Sequence, residues 1–199
     1  MRNQTKAMAF FHQSPGIHRT GEILAAGIYN RTLYRLLNKG VLAKVGYGRY
    51  RLANTEPPQH GVYAELAGRI PKGVFCLNSA LDFHQIGTQV PYAHWVALPR
   101  GAYQPQIREY DVNYCVYSPK TFAEGILKLA RDGVEVRVYD PARTVVDCFR
   151  HRNKVGLEVA IEALRETLRA KKATIPEIIR YAGIFRMKNV IMPYLEALQ

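Results

Sequence analysis

The chain of 199 residues has few cysteines, no long apolar segment and far fewer acidic than basic side chains. Its three cysteines, Cys76, Cys115 and Cys148, form no CxxC pair. An odd count argues against a disulfide framework, so we expect reduced, buried cysteines. No segment approaches the roughly 20 consecutive apolar residues of a membrane span, and no signal peptide follows the basic start. These absences predict a cytoplasmic protein without a membrane partner.

Motifs of known catalytic, cofactor and metal sites are also missing. The six histidines show no metal-ligand spacing, and there is no P-loop, Rossmann glycine pattern or nucleophile elbow. We therefore expect no metal ion, no cofactor, no catalytic residues and no enzymatic activity. One alternative stays open, because Asp132, Glu135 and Arg137 are similar to a nuclease carboxylate motif in which arginine replaces lysine. An Asp-Gly turn explains these residues more simply.

Acidic residues are scarcest near the N-terminus. The whole chain has 16 acidic residues against 28 lysines and arginines, a net charge of +12. Up to residue 55, Glu22 is the single acidic residue, whereas the basic ones are Arg2, Lys6, Arg19, Arg31, Arg35, Lys39, Lys44, Arg49 and Arg51. Basic side chains gain free energy by releasing counterions from phosphates. This distribution predicts a nucleic-acid-binding module at the N-terminus.

Residues 1–55 have the element order of a winged helix-turn-helix. Apolar spacing predicts a helix over 4–13, a short helix over 21–26 with Thr20 as its N-cap, and a third over 30–38. Two short β runs, 41–45 and 49–52, flank a Gly-Tyr-Gly turn and predict a hairpin. Three helices followed by a hairpin indicate a winged helix, with the second and third helices as the helix-turn-helix pair.

The third helix is the predicted recognition helix. Leu33, Leu36 and Leu37 form its apolar stripe, and the residues on the opposite face are Arg31, Tyr34, Arg35 and Asn38. Arginine pairs with guanine and asparagine with adenine in the major groove. We expect Thr32 to contact a phosphate or a thymine methyl group. The predicted phosphate contacts of the wing come from Lys44, Tyr47, Arg49 and Arg51.

A proline-containing linker, residues 56–60, precedes a second predicted domain over 61–199. Strand-like alternation occurs at 94–98, 112–118, 126–130 and 134–139. Helical patterns occur at 62–70, 78–85, 142–150, 155–169, from a capping box at 174–177 to Gly183, and at 190–198. We therefore expect an α+β fold, in which an N-terminal winged helix-turn-helix is followed by a mixed α+β C-terminal domain.

Two groups of residues stand out in the second domain. Arg143 and Asp147, four apart on a helix and flanking Thr144, are expected to pair. A structural role is the simpler interpretation, because one carboxylate beside an arginine is not a catalytic set. The second group is a possible basic surface of Arg165, Arg169 and Lys172. It could extend the DNA footprint or touch tRNA or a toxin, but glutamates on the same helix make a solvated mixed-charge face an equal alternative.

Several segments resemble the AbiEi-type antitoxins of bacterial abortive-infection toxin–antitoxin systems. In the N-terminal part, residues 20–36 look like the winged-helix module of that family and residues 46–50 look like its wing. In the second domain, the matching segments are 77–81, 95–99 and 140–148. The last, Asp-Pro-Ala-Arg-Thr-Val-Val-Asp-Cys, is the most specific. The resemblance runs nearly end to end.

This resemblance implies a protein with two functions. The winged helix would repress its own operon by binding inverted repeats in promoter double-stranded DNA. The second domain would neutralise a nucleotidyltransferase-like toxin without a stable complex, and the protein would be a monomer or a weak dimer. Two other functions stay open: a nuclease delivered to DNA by the winged helix, and a winged helix used only for protein contacts.

Overall fold

The fold is mixed α+β with two β-sheets, which confirms the predicted α+β class. A computed structural model describes residues 2–14, 16–46, 48–54, 61–88, 91–131 and 134–198. The chain divides into two compact units. Unit 1 comprises Met1–Arg69 and Ala130–Val136, and unit 2 comprises Ile70–Leu129 and Arg137–Gln199.

Unit 1 combines helices with a small antiparallel sheet. Its elements from residue 2 to 69 are α1 (Arg2–Gln13), β1 (His18–Arg19), α2 (Thr20–Ala25), α3 (Asn30–Asn38), β2 (Leu42–Gly46), β3 (Arg49–Leu52) and α4 (Gly61–Arg69). The strand order is β1-β3-β2. The predicted bounds of α3 and β3 are confirmed to the residue. Strand β1 was not predicted, because two residues are too few to show a period.

The apolar faces of the first three helices and the hairpin form one core. Its fully buried members include Ala7 and Phe11 of α1, Ile23 of α2 and Leu33 of α3. Gly27 makes the turn between α2 and α3, since its φ of +75° is a left-handed conformation that glycine adopts without steric cost. The following amide, that of Ile28, donates to the Ile23 carbonyl at 3.1 Å and closes the end of α2.

The start of α2 differs from the prediction. Arg19, not Thr20, is the N-cap residue, and the Glu22 carboxylate accepts a hydrogen bond from the Arg19 amide at 3.0 Å. Both the amide and the hydroxyl of Thr20 instead donate to the Gly48 carbonyl, at 2.8 and 3.1 Å. Pairing of β1 with β3 takes Thr20 away from the capping position, and the local sequence does not show that pairing.

Helix α4 belongs to unit 1, so this unit extends beyond the boundary expected at residue 55. The buried side chain of Arg49 on β3 donates to the Ala64 carbonyl of α4. Gly68 makes room for this guanidinium, because a Cβ at that position would overlap Nη2 of Arg49. The predicted linker, residues 56–60, lies outside the described residues.

The larger sheet has five strands in the order β6-β5-β4-β8-β7. In chain order the elements are β4 (Val74–Phe75), α5 (Leu77–Phe83), β5 (His94–Pro99), β6 (Val112–Tyr117), α6 (Pro119–Ala123), β7 (Ile126–Arg131) and β8 (Val134–Tyr139). Strand β5 is parallel to β6 and antiparallel to β4, which is parallel to β8. The four strands predicted for this region are confirmed, and the two-residue β4 and the short α6 were not predicted.

The last third of the chain is helical, as predicted. It contains α7 (Pro141–Arg150), α8 (Arg152–Val155), α9 (Leu157–Arg169), α10 (Ile175–Ile184) and α11 (Lys188–Glu196). The helix predicted over 155–169 is interrupted at Gly156, whose φ is +95°. Gly183 does not close α10 as predicted. The left-handed residue after this helix is Arg186, with φ +56°.

Helices α5, α7, α9, α10 and α11 enclose the core of unit 2 against one face of the sheet. Val145, Val146 and Phe149 of α7 have no solvent exposure. All three cysteines are buried and free of disulfides, as expected. Nowhere in the described ranges does a helix combine the length and the apolar character that crossing a membrane requires.

Candidate nucleic-acid interface

Helix α3 presents to solvent the face opposite its apolar stripe. Leu33 and Leu36 are buried, whereas the residues predicted for the recognition face are all exposed: Arg31, Tyr34, Arg35 and Asn38. Tyr34 has 60% of its surface exposed, which is high for a large aromatic side chain. We call these four residues, together with Tyr29 and Asn30 at the start of the helix, the α3 face.

Arg35 is oriented by a contact from α1. With the Gln4 amide turned so that its oxygen faces the guanidinium, it accepts hydrogen bonds from Nε and Nη2 of Arg35 at 2.8 and 3.2 Å. This contact uses one edge of a planar group that carries five N–H donors. The guanidinium is thus positioned while donors remain available to a ligand.

Thr32 does not join the α3 face. Only 6% of its surface is exposed, and it lies four residues before buried Leu36, on the same side of the helix. The predicted contact of Thr32 with a phosphate or a thymine methyl group is therefore wrong for this conformation. The apolar stripe continues one residue further towards the start of the helix than Leu33.

Two further exposed residues lie at the start of α3, where the apolar spacing does not indicate them. Tyr29, the N-cap residue, is 68% exposed, and Asn30 follows it on the surface. In helix-turn-helix proteins the first residues of the recognition helix contact the base edges. Tyrosine resembles a core residue in a local pattern, so only its exposure in the structure identifies Tyr29 as part of this face.

The residues predicted for the wing differ in their exposure and contacts. Lys44 of β2 is exposed, and Arg51 of β3 is half-buried, with Nη1 donating to the Leu52 carbonyl at 2.9 Å. Tyr47 lies outside the described residues. Arg49 is buried, and burial together with the charge of Arg19 lowers its pKa. The predicted phosphate contact of Arg49 is therefore wrong, because its guanidinium binds α4.

The α3 face lies in a part of the chain with almost no negative charge. Among the described residues from 2 to 54, Glu22 is the single carboxylate. It is engaged at the start of α2, where it accepts from the Arg19 amide and lies 3.8 Å from the His18 imidazole. Exposed positive charges in the same region are Lys6, Arg19, Arg31, Arg35, Lys39 and Lys44. This surface is suited to a polyanion.

In unit 2, the predicted pair of Arg143 and Asp147 is present and completely buried. Nε of Arg143 donates to Oδ2 of Asp147 at 2.7 Å. Nη1 donates to the carbonyls of Thr121 and Glu124 at 2.9 and 3.0 Å, and the guanidinium lies 4.1 Å from the Tyr139 ring centroid. Burial lowers the pKa of Arg143, but Asp147, Tyr139 and Tyr117 together outweigh it and the net change is upward. Thr144 is also buried and donates to the Tyr139 carbonyl.

The three residues of the possible basic surface on unit 2 differ in their contacts. Arg169 is exposed and pairs with Glu166 at 2.7 Å. Lys172 donates to the His84 and Gln85 carbonyls, where it satisfies the end of α5. Arg165 is exposed on α9. Of the three, Lys172 has a contact that explains it structurally.

The structure does not describe a site formed by the three residues of the nuclease alternative. Asp132 lies outside the described residues, Glu135 is exposed on β8, and the Arg137 guanidinium lies 5.9 Å from the Phe122 ring centroid. Across the described ranges, no group of three or more histidine, cysteine or acidic side chains is placed to hold a metal ion.

Comparison with known proteins supports the fold. No protein-family model matches the sequence, and no curated protein matches it. Among solved structures, the chain is similar to the crystal structure of the RV2827C protein from Mycobacterium tuberculosis, with a TM-score of 0.58 and 12% sequence identity. The match covers 89% of this chain and 69% of that one. At this identity the likeness shows the fold alone.

Proposed function

We propose that this protein is a cytoplasmic, sequence-specific double-stranded-DNA-binding transcriptional repressor, with a binding rather than a catalytic role. In this proposal residues 1–55 form a winged helix-turn-helix, α2 and α3 are the helix-turn-helix pair, and β2 and β3 are the wing. The observation that carries the proposal is the α3 face: two arginines, two tyrosines and two asparagines, all exposed on one helix in a region almost without carboxylates.

The chemistry of the α3 face suits the major groove. The guanidinium groups of Arg31 and Arg35 match the O6 and N7 acceptors of guanine, and the amide of Asn38 matches N6 and N7 of adenine. A helix fits into that groove with its first residues against the base edges. Tyr29 and Asn30 occupy this leading position. Lys44 and Arg51 supply charge for the sugar-phosphate backbone.

The charge of this surface favours nucleic acid over a purely protein partner. The central part of a protein–protein interface is usually depleted of charged residues. The α3 face instead has Arg31 and Arg35 near its middle. A surface of this kind binds a phosphate chain by releasing counterions, so its affinity depends steeply on salt.

Selection from a random duplex library tests the function directly. The full chain is incubated with the library at moderate salt, and bound duplexes are amplified and sequenced over successive rounds. We expect one enriched motif, bound with an affinity that falls steeply as salt rises. Enrichment of no motif would show that sequence-specific duplex binding is wrong. Metal-dependent cleavage of the library would support the nuclease alternative instead.

We further propose that the protein is the antitoxin of a toxin–antitoxin operon. This part rests on the resemblance of residues 77–81, 95–99 and 140–148 to AbiEi-type antitoxins. The test is co-expression of the chain with each gene adjacent to its own. Rescue of growth from a toxic nucleotidyltransferase-like neighbour is expected, without co-purification of the two proteins. Absence of any neighbour that arrests growth would contradict the proposal.

A further inference from the structure

A second basic surface lies on unit 2, at the end of α7 and in α8. The sequence Arg150-His151-Arg152-Asn153-Lys154 contains no acidic residue, and neither do the residues that flank it from 148 to 157. Arg150, Asn153 and Lys154 are exposed, and His151 and Arg152 are half-buried. All of these residues, and the strand residues they approach, belong to the same unit.

Ordinary helix-end stabilisation explains only part of this cluster. Cations near a helix C-terminus interact favourably with the last carbonyl groups. Arg152 does this, because its Nη1 donates to the Phe149 carbonyl at 3.1 Å. Arg150 and Lys154 point to aromatic rings instead. The Arg150 guanidinium lies 5.5 Å from the Tyr117 ring centroid, and the Lys154 ammonium lies 5.9 Å from the Trp95 ring centroid.

The strands below these cations supply an aromatic ring and an amide. Trp95 of β5 pairs in register with Asn113 of β6, so the two side chains lie on the same face of the sheet. Trp95 packs in part against the core of unit 2, which leaves it half-buried, and Asn113 is exposed. Strand β6 is at the edge of the sheet order, so a ligand would approach the exposed part of this face from the side.

The positive charge of this cluster contributes to the lowered pKa of two neighbouring groups, His151 and Cys115. Burial lowers the pKa of His151 to about 4, and the charges of Arg150, Lys154 and Arg143 act in the same direction. Cys115 on β6 also has a lowered pKa, first through the Cys76 thiol; burial and the Asp147 carboxylate oppose this change, and Lys154 and Arg150 add to it. Both cations therefore act on β6, where Asp147 offsets part of their effect.

We propose that Trp95, Asn113, Arg150 and Lys154 form a binding surface for a single-stranded segment of nucleic acid. Arg150 and Lys154 contact successive phosphates, and one unstacked base stacks on the Trp95 ring, with Asn113 beside it to hydrogen-bond. Basic grooves that carry an aromatic platform are typical of single-strand binding, because every base offers a π face. A duplex keeps its bases stacked and cannot use the ring. The shared chemistry is that of a single strand, RNA or DNA.

This surface can be observed separately from the α3 face. Trp95 is the only tryptophan in the chain, so fluorescence excited at wavelengths that tyrosine does not absorb reports on this site alone. The experiment uses the full chain with Arg31→Ala and Arg35→Ala, which removes the main charges of the α3 face. The result therefore does not depend on the proposed repressor function. The probes are oligo(U), oligo(dT) and a duplex, each of about 12 nucleotides or base pairs, a length within single-strand site sizes.

We expect both single strands to quench Trp95 emission and the duplex to leave it unchanged. Arg150→Gln with Lys154→Gln should weaken the single-strand affinity about tenfold and reduce the salt slope by about 1.4, the value for two lost phosphate contacts. Tighter binding of oligo(U) assigns the surface to RNA, and tighter binding of oligo(dT) assigns it to single-stranded DNA. Either result supports the proposal.

The matched control is Arg165→Gln with Arg169→Gln, which removes the same charge from exposed positions on α9. It should leave quenching unchanged. Because Arg150 contacts the core residue Tyr117, Lys154→Gln alone is the second variant, and its thermal unfolding should match the parent. Three results would overturn the proposal: no quenching by either single strand at low salt, equal loss in the α9 control, or displacement of the strand by oligo-glutamate at equal charge.

Discussion

Nε of Arg143 donates to Oδ2 of Asp147 across 2.7 Å, and neither side chain has any solvent exposure. Burial raises the pKa of Asp147, and the Arg143 guanidinium opposes this change. The same guanidinium joins α7 to the carbonyls of Thr121 and Glu124 on either side of the end of α6. The most specific motif of the second unit is therefore part of its core.

Removing Arg143 should destabilise unit 2 strongly. Arg143→Met leaves the Asp147 carboxylate and two carbonyl groups without a buried cation. The expected fall in the free energy of unfolding is about 3–5 kcal/mol, measured by urea denaturation with Trp95 fluorescence. Arg169→Met removes an exposed ion pair and should change stability by about 0.5 kcal/mol or less. Equal effects of the two variants would contradict the buried-pair account.

Stability should fall between about pH 6.5 and pH 4 because of His151. Its folded-state pKa is about 4, whereas its ordinary value is 6.5, so the unfolded chain takes up this proton first as pH falls. The contribution is fully present above pH 6.5 and is lost on acidification through this window, by about 1–3 kcal/mol, which is below the full value of the pKa difference because solvent screens the partly exposed ring. Folded His151 is mostly neutral until the pH approaches 4, with Nε2 3.2 Å from the Tyr117 hydroxyl.

The variant His151→Gln isolates this effect. It should flatten the decline in the free energy of unfolding between pH 6.5 and pH 4. The control is His12→Gln, which removes an exposed imidazole from α1 and should keep the decline of the parent protein. If the pH profiles of the His151 variant and the parent coincide, His151 does not enter the folded core in neutral form.

Two glycine positions in unit 1 should respond in opposite ways to alanine. Gly68→Ala puts a Cβ onto the buried Arg49 guanidinium, so we expect a loss of about 1–3 kcal/mol. Gly21→Ala in α2 meets nothing within 4 Å and should gain about 0.5 kcal/mol from the lower entropy of the unfolded chain. Thermal unfolding of the full chain measures both. Tolerance of Gly68→Ala would contradict the placement of Arg49 against α4.

The exposed face of α3 was predictable from the sequence, because it depends on the helical period alone. Arg31, Tyr34, Arg35 and Asn38 follow that period, and the structure exposes all four. Thr32 was misplaced because a polar residue was not counted as a member of the apolar stripe. Its position four residues before Leu36 indicates that Thr32 lies on the buried side of the helix.

Arg49 was not predictable from local pattern. It alternates with Arg51 on a short strand, which suggests a solvated hairpin, yet its guanidinium binds a carbonyl fifteen residues later. A contact of this kind depends on where α4 packs. The position of Thr20 was not predictable either, because its hydrogen bonds go to Gly48, which is distant in the sequence. Strands β1 and β4 could not be predicted because strands of two residues are defined by their partners in the sheet.

Binding of duplex DNA through the α3 face should depend on Arg31 and Arg35. The most direct measurement is the affinity of the full chain for its selected duplex motif, compared for Arg31→Ala with Arg35→Ala and for the charge-matched control Arg165→Ala with Arg169→Ala. We expect a loss of about 2–6 kcal/mol of binding free energy in the first variant, from two base-reading arginines, and wild-type affinity in the control. Unchanged affinity in the Arg31 and Arg35 variant, with its fold intact, would show that the α3 face does not read duplex DNA.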